Sequence, residues 1–183
     1  TVMYAPTWGW GYENSHFALF ARWFDRETEI FEKLCQKISN QNLNFIVRLH
    51  CLSFNTNKKE LTDIAKKYNV CWQTTATSCF YDDPNQYLWI TDILISDLSG
   101  IISEFMVLDR PVIYIDPDES IEPWNDCDMP KSFRAGHIVK RPEGLLEAIE
   151  DSILYSGRYS KERKEFLSKI YYNLDGRATN RGV

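Results

Sequence analysis

The chain has 183 residues, of which 44% are hydrophobic and 26% charged, and its net charge is -5. This size and balance suit one compact domain with a substantial core and exclude a disordered or fibrous chain. The acidic balance gives no support to a nucleic-acid partner, so any anion site must be a local basic cluster, and no apolar run approaches the ~20 residues that span a bilayer.

Val2 to Ala5 reads as a strand ending at Pro6, followed by a loop rich in glycine and aromatic residues from Trp8 to Tyr12. Ile30, Phe31, Leu34 and Ile38 predict a helix with one apolar face, and Asn44 to Leu49 a second strand. Leu61, Ile64, Ala65 and Tyr68 recur at i, i+3, i+4 and i+7, an amphipathic helix leading to a strand at Val70 to Gln73. Thr91 to Phe105 reads as a buried strand, a tight polar turn and a short helix, and Val112 to Ile115 as the next buried strand. Gly136 to Val139 predicts a short strand, and Pro142 suits the first turn of a helix carrying Leu145, Leu146 and Ile149. Ser160 is read as the N-cap of a last helix carrying Phe166, Leu167 and Ile170.

Strands alternating with helices of this length predict a parallel sheet covered on both faces, a Rossmann-like three-layer α/β domain. The chain begins with Thr1 rather than methionine, and a strand follows at once. The expectation is a single domain over residues 1–183, without a signal peptide, cut from a longer protein. Five cysteines, Cys35, Cys51, Cys71, Cys79 and Cys127, form no CxxC pair, and their odd number argues against a disulfide framework. Cys35 and Cys71 are expected in the core, in keeping with a reducing cytoplasm. His16, His50 and His137 lie far apart with no ligand spacing, so no metal site is expected.

In an open parallel sheet, ligands bind beyond the carboxyl ends of the strands. That rule selects Thr7 and Trp8, Arg48 and His50, Ser96 to Gly100, and Asp116 to Asp118. Alternation with period two puts Arg48 and His50 on one side of their strand, where they can contact one diphosphate together. Between the strand and helix of the central run, Asp97 ends the strand, and Ser99 and Gly100 open the helix. Gly100 permits close approach of backbone to phosphate, and Glu104, one turn further on, is within reach of ribose hydroxyls. The competing explanation is that Asp97 or Ser99 caps a helix whose Ile101, Ile102, Phe105 and Met106 bury one face. Arg134, His137, Arg177 and Arg181 are further basic candidates; for Arg181 the alternative is a solvated terminal arginine.

The segment Asp92 to Gly100, with Glu104 and Asp109-Arg110-Pro111-Val112-Ile113, resembles the donor-site signature of the CDP-glycerol glycerophosphotransferases, the teichoic acid polymerases. Three other segments fall in that family's order: Tyr4-Ala5-Pro6-Thr7-Trp8, Val47-Arg48-Leu49-His50 and Asp175 to Arg181. The resemblance implies the donor half of a GT-B fold, with an acceptor half preceding it in the same protein. It also implies a place at the inner face of the cell membrane, in the cytoplasm. The reaction implied is transfer of glycerol phosphate from CDP-glycerol to a hydroxyl of a growing polymer, with CMP leaving. Catalysis of that kind rests largely on positioning and on neutralising the phosphoryl oxygens.

His50 is the catalytic candidate, since imidazole can donate to that charge or manage a proton; the alternative is a histidine satisfied locally at a strand end. Thr7, Arg48, Asp97, Ser99, Gly100, Glu104, Arg134, Gly136 and Arg181 are the donor-binding candidates, Gly136 and Arg181 entering through the resemblance. No tightly bound cofactor is expected, with a divalent cation left open. An isolated donor half is expected to bind nucleotide without turning over. Leu98 and Gly100 replace the family's tyrosine and second serine, Cys51 replaces a proline, and His137 stands where a small residue or proline is usual. These departures keep the phosphate cradle and leave CDP-ribitol or a nucleotide sugar as other donors. One alternative is a GT-B glycosyltransferase or UDP-sugar 2-epimerase, which usually has a more glycine-rich turn. Another is a nonenzymatic interaction domain using the aromatic cluster Trp8, Trp10, Tyr12, Phe17, Phe20, Trp23 and Phe24.

Overall fold

The computed structural model describes residues 1–6, 28–48, 58–73, 83, 85–97, 99–116 and 135–182. The strands are β1 (Val2–Tyr4), β2 (Phe45–Arg48), β3 (Cys71–Gln73), β4 (Ile93–Ser96), β5 (Val112–Ile115) and β6 (His137–Val139). The helices are α1 (Thr28–Asn40), α2 (Lys58–Lys67), α3 (Asn85–Ile90), α4 (Ile101–Met106), α5 (Glu143–Leu154), α6 (Ser160–Ile170) and α7 (Ala178–Arg181). The six strands form one sheet in the order β3-β2-β1-β4-β5-β6, with every adjacent pair parallel.

Both faces of this sheet are buried, as a parallel sheet requires. Val2, Tyr4, Phe45, Val47, Ile93, Ile95, Ile113 and Ile115 point to one side, where α1, α2 and α5 cover them. Met3, Ile46, Leu94, Val112 and Tyr114 point to the other, against α3, α4 and α6. Apolar residues at i, i+3, i+4 and i+7 explain α1, whose Phe31, Leu34, Cys35 and Ile38 are all buried. Cys35 is a core residue as expected, its thiol pushed up to about 12 by burial. Cys71 is not: it is exposed on β3, the outermost strand at that side of the described sheet, where a residue among apolar neighbours in sequence need not be covered.

Three helices stop at a residue in the left-handed region: α1 at Asn42, α2 at Asn69 and α4 at Asp109. In the first two, the N–H of Leu43 bonds the Ile38 carbonyl and that of Val70 the Ala65 carbonyl, with Asn42 and Asn69 donating to Ser39 and Lys66. This is the Schellman pattern, which turns the chain from helix into the next strand. Asn and Asp tolerate the positive φ because their short polar side chains lower its steric and electrostatic cost.

Asp109 has a second task. Its carboxylate accepts from Ser160 Oγ at 2.6 Å and from Arg163 Nε at 2.9 Å, and its carbonyl accepts from Arg163 Nη2 at 3.0 Å. Lys164 Nζ lies 3.0 Å away. Ser160 is thus the first residue of α6 rather than its N-cap, a position held by Tyr159, and the hydroxyl that the sequence assigns to capping goes to Asp109. Pro142 likewise precedes α5 by one residue, in helical conformation. Arg163 is only 1% exposed, so α6 is fastened beneath α4 through an ion pair that buries a guanidinium.

At the amino end of β6, Gly136 is held where a Cβ would stand 2.0 Å from the Val112 carbonyl oxygen. Only glycine lets β6 lie down beside β5 at this point, and Gly136→Ala is expected to destabilise the chain by about 1–3 kcal/mol in chemical denaturation.

Partial burial pushes the Asp109 carboxyl up, but the bonds from Ser160, Lys164 and Arg163 outweigh it and hold the group below its ordinary value. A depressed folded-state pKa contributes stability that is complete above the unfolded value, near ~4, and is lost as pH falls through the folded one. Asp109→Asn keeps the left-handed turn and leaves Arg163 without a counter-charge. We expect denaturation curves to show a loss of about 3 kcal/mol at pH 7, with a shallower fall in stability below pH ~4 than in the parent chain.

Candidate functional site at the carboxyl ends of the strands

The sheet order reverses between β1 and β4, and in an open parallel sheet the crevice at such a reversal is where ligands bind. Two bonds join the strands at its mouth. Ala5 N donates to the Ile95 carbonyl at 3.0 Å, and Ser96 Oγ donates to the Ala5 carbonyl at 2.6 Å. Ser96 is fully buried, so of the Ser96 to Gly100 segment it is a structural member whose hydroxyl is already engaged.

The chain then leaves β4 through Asp97, which is 4% exposed, and enters α4 through half-buried Ser99 and exposed Gly100. Gly100 occupies the N-cap position with ordinary helical φ and has no side chain of its own to cap the helix. Among the described residues, nothing outside its own helix lies within 4 Å of the place a Gly100 Cβ would take. Neither backbone conformation nor packing therefore requires glycine here. Glu104 is exposed on the first turn of α4, with Ile102, Phe105 and Met106 facing the core.

Arg48 is the last residue of β2 and is 9% exposed. By alternation with Ile46 it falls on the α3 side of the sheet, and its guanidinium carbon lies 4.8 Å from the centre of the Tyr87 ring. Asp116, which follows β5, is buried and donates its N–H to the Val139 carbonyl at 2.9 Å. Arg48, Asp97, Ser99, Gly100 and Asp116 thus share the carboxyl-end rim. Thr7, His50 and Arg134, with the Trp8 to Phe24 aromatic cluster, Pro117 and Asp118, lie outside the described residues.

Other expected members fall elsewhere. Gly136 and His137 stand at the amino end of β6, the opposite rim, so the expected donor-binding role of Gly136 gives way to the packing on Val112 described above. His137 Nε2 lies 2.7 Å from Asp151 Oδ2, which also takes Arg158 Nη1 at 2.8 Å, and its ring meets Tyr159 edge-on. A cavity of about 570 Å³ between β6 and α5 runs beside this cluster. Arg181, on α7, closes on Asp175 through Nη1 at 2.7 and 3.0 Å and stacks on Tyr172. The bond from Arg181, joined by the Arg177 backbone N–H, holds the Asp175 carboxyl below its ordinary value. Among the described residues no group of three or more His, Cys, Asp or Glu side chains is arranged to hold a metal ion, and no helix is long and apolar enough to cross a membrane.

Asp109 and Arg110, which precede β5, also belong to the opposite rim. Arg110 Nη1 donates to the carbonyls of Trp89 at 2.8 Å and Thr91 at 2.6 Å, and Thr91 Oγ1 donates to that of Tyr87 at 2.7 Å. Sequence reasoning did not find α3; Asp83, which accepts from Asn85 N at 2.9 Å, and Tyr87 and Leu88 packing inward were its available signals.

The family described as CDP-Glycerol:Poly(glycerophosphate) glycerophosphotransferase matches residues 1–183. The chain is 28% identical over 186 residues to the teichoic acid ribitol-phosphate polymerase TarL of Staphylococcus aureus, covering 100% of this chain and 30% of that protein. To the teichoic acid poly(glycerol phosphate) polymerase of Bacillus subtilis it is 26% identical over 188 residues, covering 100% of this chain and 23% of the relative. The structure of a wall teichoic acid polymerase TagF variant soaked with CDPG superposes with a TM-score of 0.64 at 19% identity, over 98% of this chain and 39% of the other. The parallel α/β domain is therefore one that TagF contains, and the chain spans about a third or less of the curated polymerases named here. Matched from its first residue to its last, the chain belongs to the CDP-glycerol:poly(glycerophosphate) glycerophosphotransferase family.

Proposed function

We propose that this chain is the donor-binding domain of a polyol-phosphate polymerase, holding CDP-glycerol or a related CDP-polyol in the crevice at the carboxyl ends of β1, β2 and β4. The observation that carries this reading is that the turn from Asp97 to Gly100 coincides with the reversal of strand order. The open space over Gly100 supports it, because a phosphate can approach the backbone there without meeting a side chain.

In this reading Arg48 and Ser99 bind the diphosphate beside Gly100, and Glu104 takes the ribose hydroxyls. Thr7, His50 and Arg134 also contact the donor in this reading, and Arg181 adds charge by exchanging its ion pair with Asp175 for the phosphates. An acceptor hydroxyl attacks the β-phosphorus, the bond to the CMP oxygen breaks, and CMP leaves. His50 stabilises the phosphoryl charge, while an acceptor domain elsewhere in the same protein brings the polymer, at the inner face of the membrane. Such a division of labour makes the lone domain a binder without turnover.

Calorimetric titration tests the reading. CDP-glycerol and CMP are expected to bind, and UDP-GlcNAc is not. Ser99→Ala and Arg181→Ala are each expected to weaken CDP-glycerol binding by roughly tenfold, the scale of one hydrogen bond to a charged group. Gly100→Ala should bind less tightly while melting at the parent temperature. A preference for uridine compounds would move the chain to the sugar-nucleotide enzymes, and failure of the cytidine compounds to bind would overturn the reading.

A further inference from the structure

We infer that Tyr87 is a positioning residue for the donor diphosphate, acting through Arg48. The inference rests on the donor reading above and adds to it a residue outside the rim. An arginine side chain at a strand end has several rotatable bonds, and holding its guanidinium at one place costs rotamer freedom. Here the guanidinium is laid over an aromatic face at 4.8 Å, within the distance at which the ring quadrupole attracts a cation. Such a contact restricts where the guanidinium can sit, while its N–H edge is the part that binds an anion.

Tyr87 is itself held from behind. It packs on the core cluster that contains Leu88, Leu94 and Ile102, and its carbonyl accepts from Thr91 Oγ1. The Thr91 and Trp89 carbonyls in turn accept from Arg110. A line of contacts therefore runs from Arg110 at the amino-end rim, through the last turn of α3, to Arg48 at the carboxyl-end rim. Arg110 lies within the segment that the family resemblance marks, yet its guanidinium is directed at these carbonyls rather than at the crevice.

The test is a double-mutant cycle on the chain, read by calorimetric titration with CDP-glycerol and by thermal unfolding. Tyr87→Leu is expected to weaken binding about fivefold, and Tyr87→Phe, which keeps the ring face, to restore it. In an Arg48→Ala background Tyr87→Leu should have no further effect. Tyr87→Met, whose long unbranched side chain adapts to an irregular space, replaces Tyr87→Leu if that variant does not fold. Parent-like affinity in Tyr87→Leu or Tyr87→Met, or an equal loss in both backgrounds, would overturn the inference while leaving the donor reading standing; parent-like affinity in Arg48→Ala would overturn the inference and also remove Arg48 from the donor reading. Absence of CDP-glycerol binding in the parent chain would overturn both.

Discussion

The adjacency of β1 and β4 is the constraint on which the site depends. These strands are separated by most of the first half of the chain, and the sheet grows away from them in opposite directions. Helices α1 and α2 therefore cover one face, while α3 and α4 cover the other, the arrangement in which an open parallel sheet has its crevice above the junction. Buried Ser96 stitches that junction by bonding the Ala5 carbonyl, which satisfies a polar group that would otherwise be left at the end of β1. The Ser96 hydroxyl is thus spent on the scaffold, and half-buried Ser99 and exposed Gly100 follow it along the rim.

The opposite rim holds the charged residues that keep this scaffold rigid. Removing a guanidinium from water costs several kcal/mol, so the Arg163–Asp109 pair contributes more to fixing where α6 docks than to net stability. Asp109 combines three functions in one side chain: it ends α4 in the left-handed region, accepts from Ser160, and neutralises Arg163. Its neighbour Arg110 fixes α3. The contiguous run from Asp92 to Ile113 thus divides physically, its Asp97 to Gly100 portion at the crevice and its Asp109-Arg110-Pro111 portion at the base.

Much of the fold was legible because burial on both faces leaves short, nearly continuous apolar strands and the helices carry a 3.6-residue period. Strand ends moved by a residue or so, and the rim rule led to Arg48 and the Asp97 to Gly100 turn. What escaped were contacts between residues distant in sequence. Ser160 followed the N-cap preference, but a hydroxyl bonds the stronger acceptor within reach, here a carboxylate 51 residues away. Gly136 entered the donor-binding candidates through the family resemblance, whereas what requires glycine there is the Val112 carbonyl on the adjacent strand. Helix α3 was missed because six residues give too short a window for periodicity, and with it went Tyr87. Asn42 and Asn69 were not singled out in the sequence, and the positive φ reveals their use as helix ends.

The most direct test of the account is to map the binding surface by backbone amide chemical shifts as CDP-glycerol is added to the isotopically labelled chain. The account predicts that Arg48, Asp97, Ser99 and Gly100 move together on titration, while Gly136, His137, Asp151 and Arg163 at the opposite rim stay in place. Shifts concentrated at His137, Lys140, Asp151 and Arg158, along the cavity between β6 and α5, would contradict it and relocate the ligand to the other side of the domain.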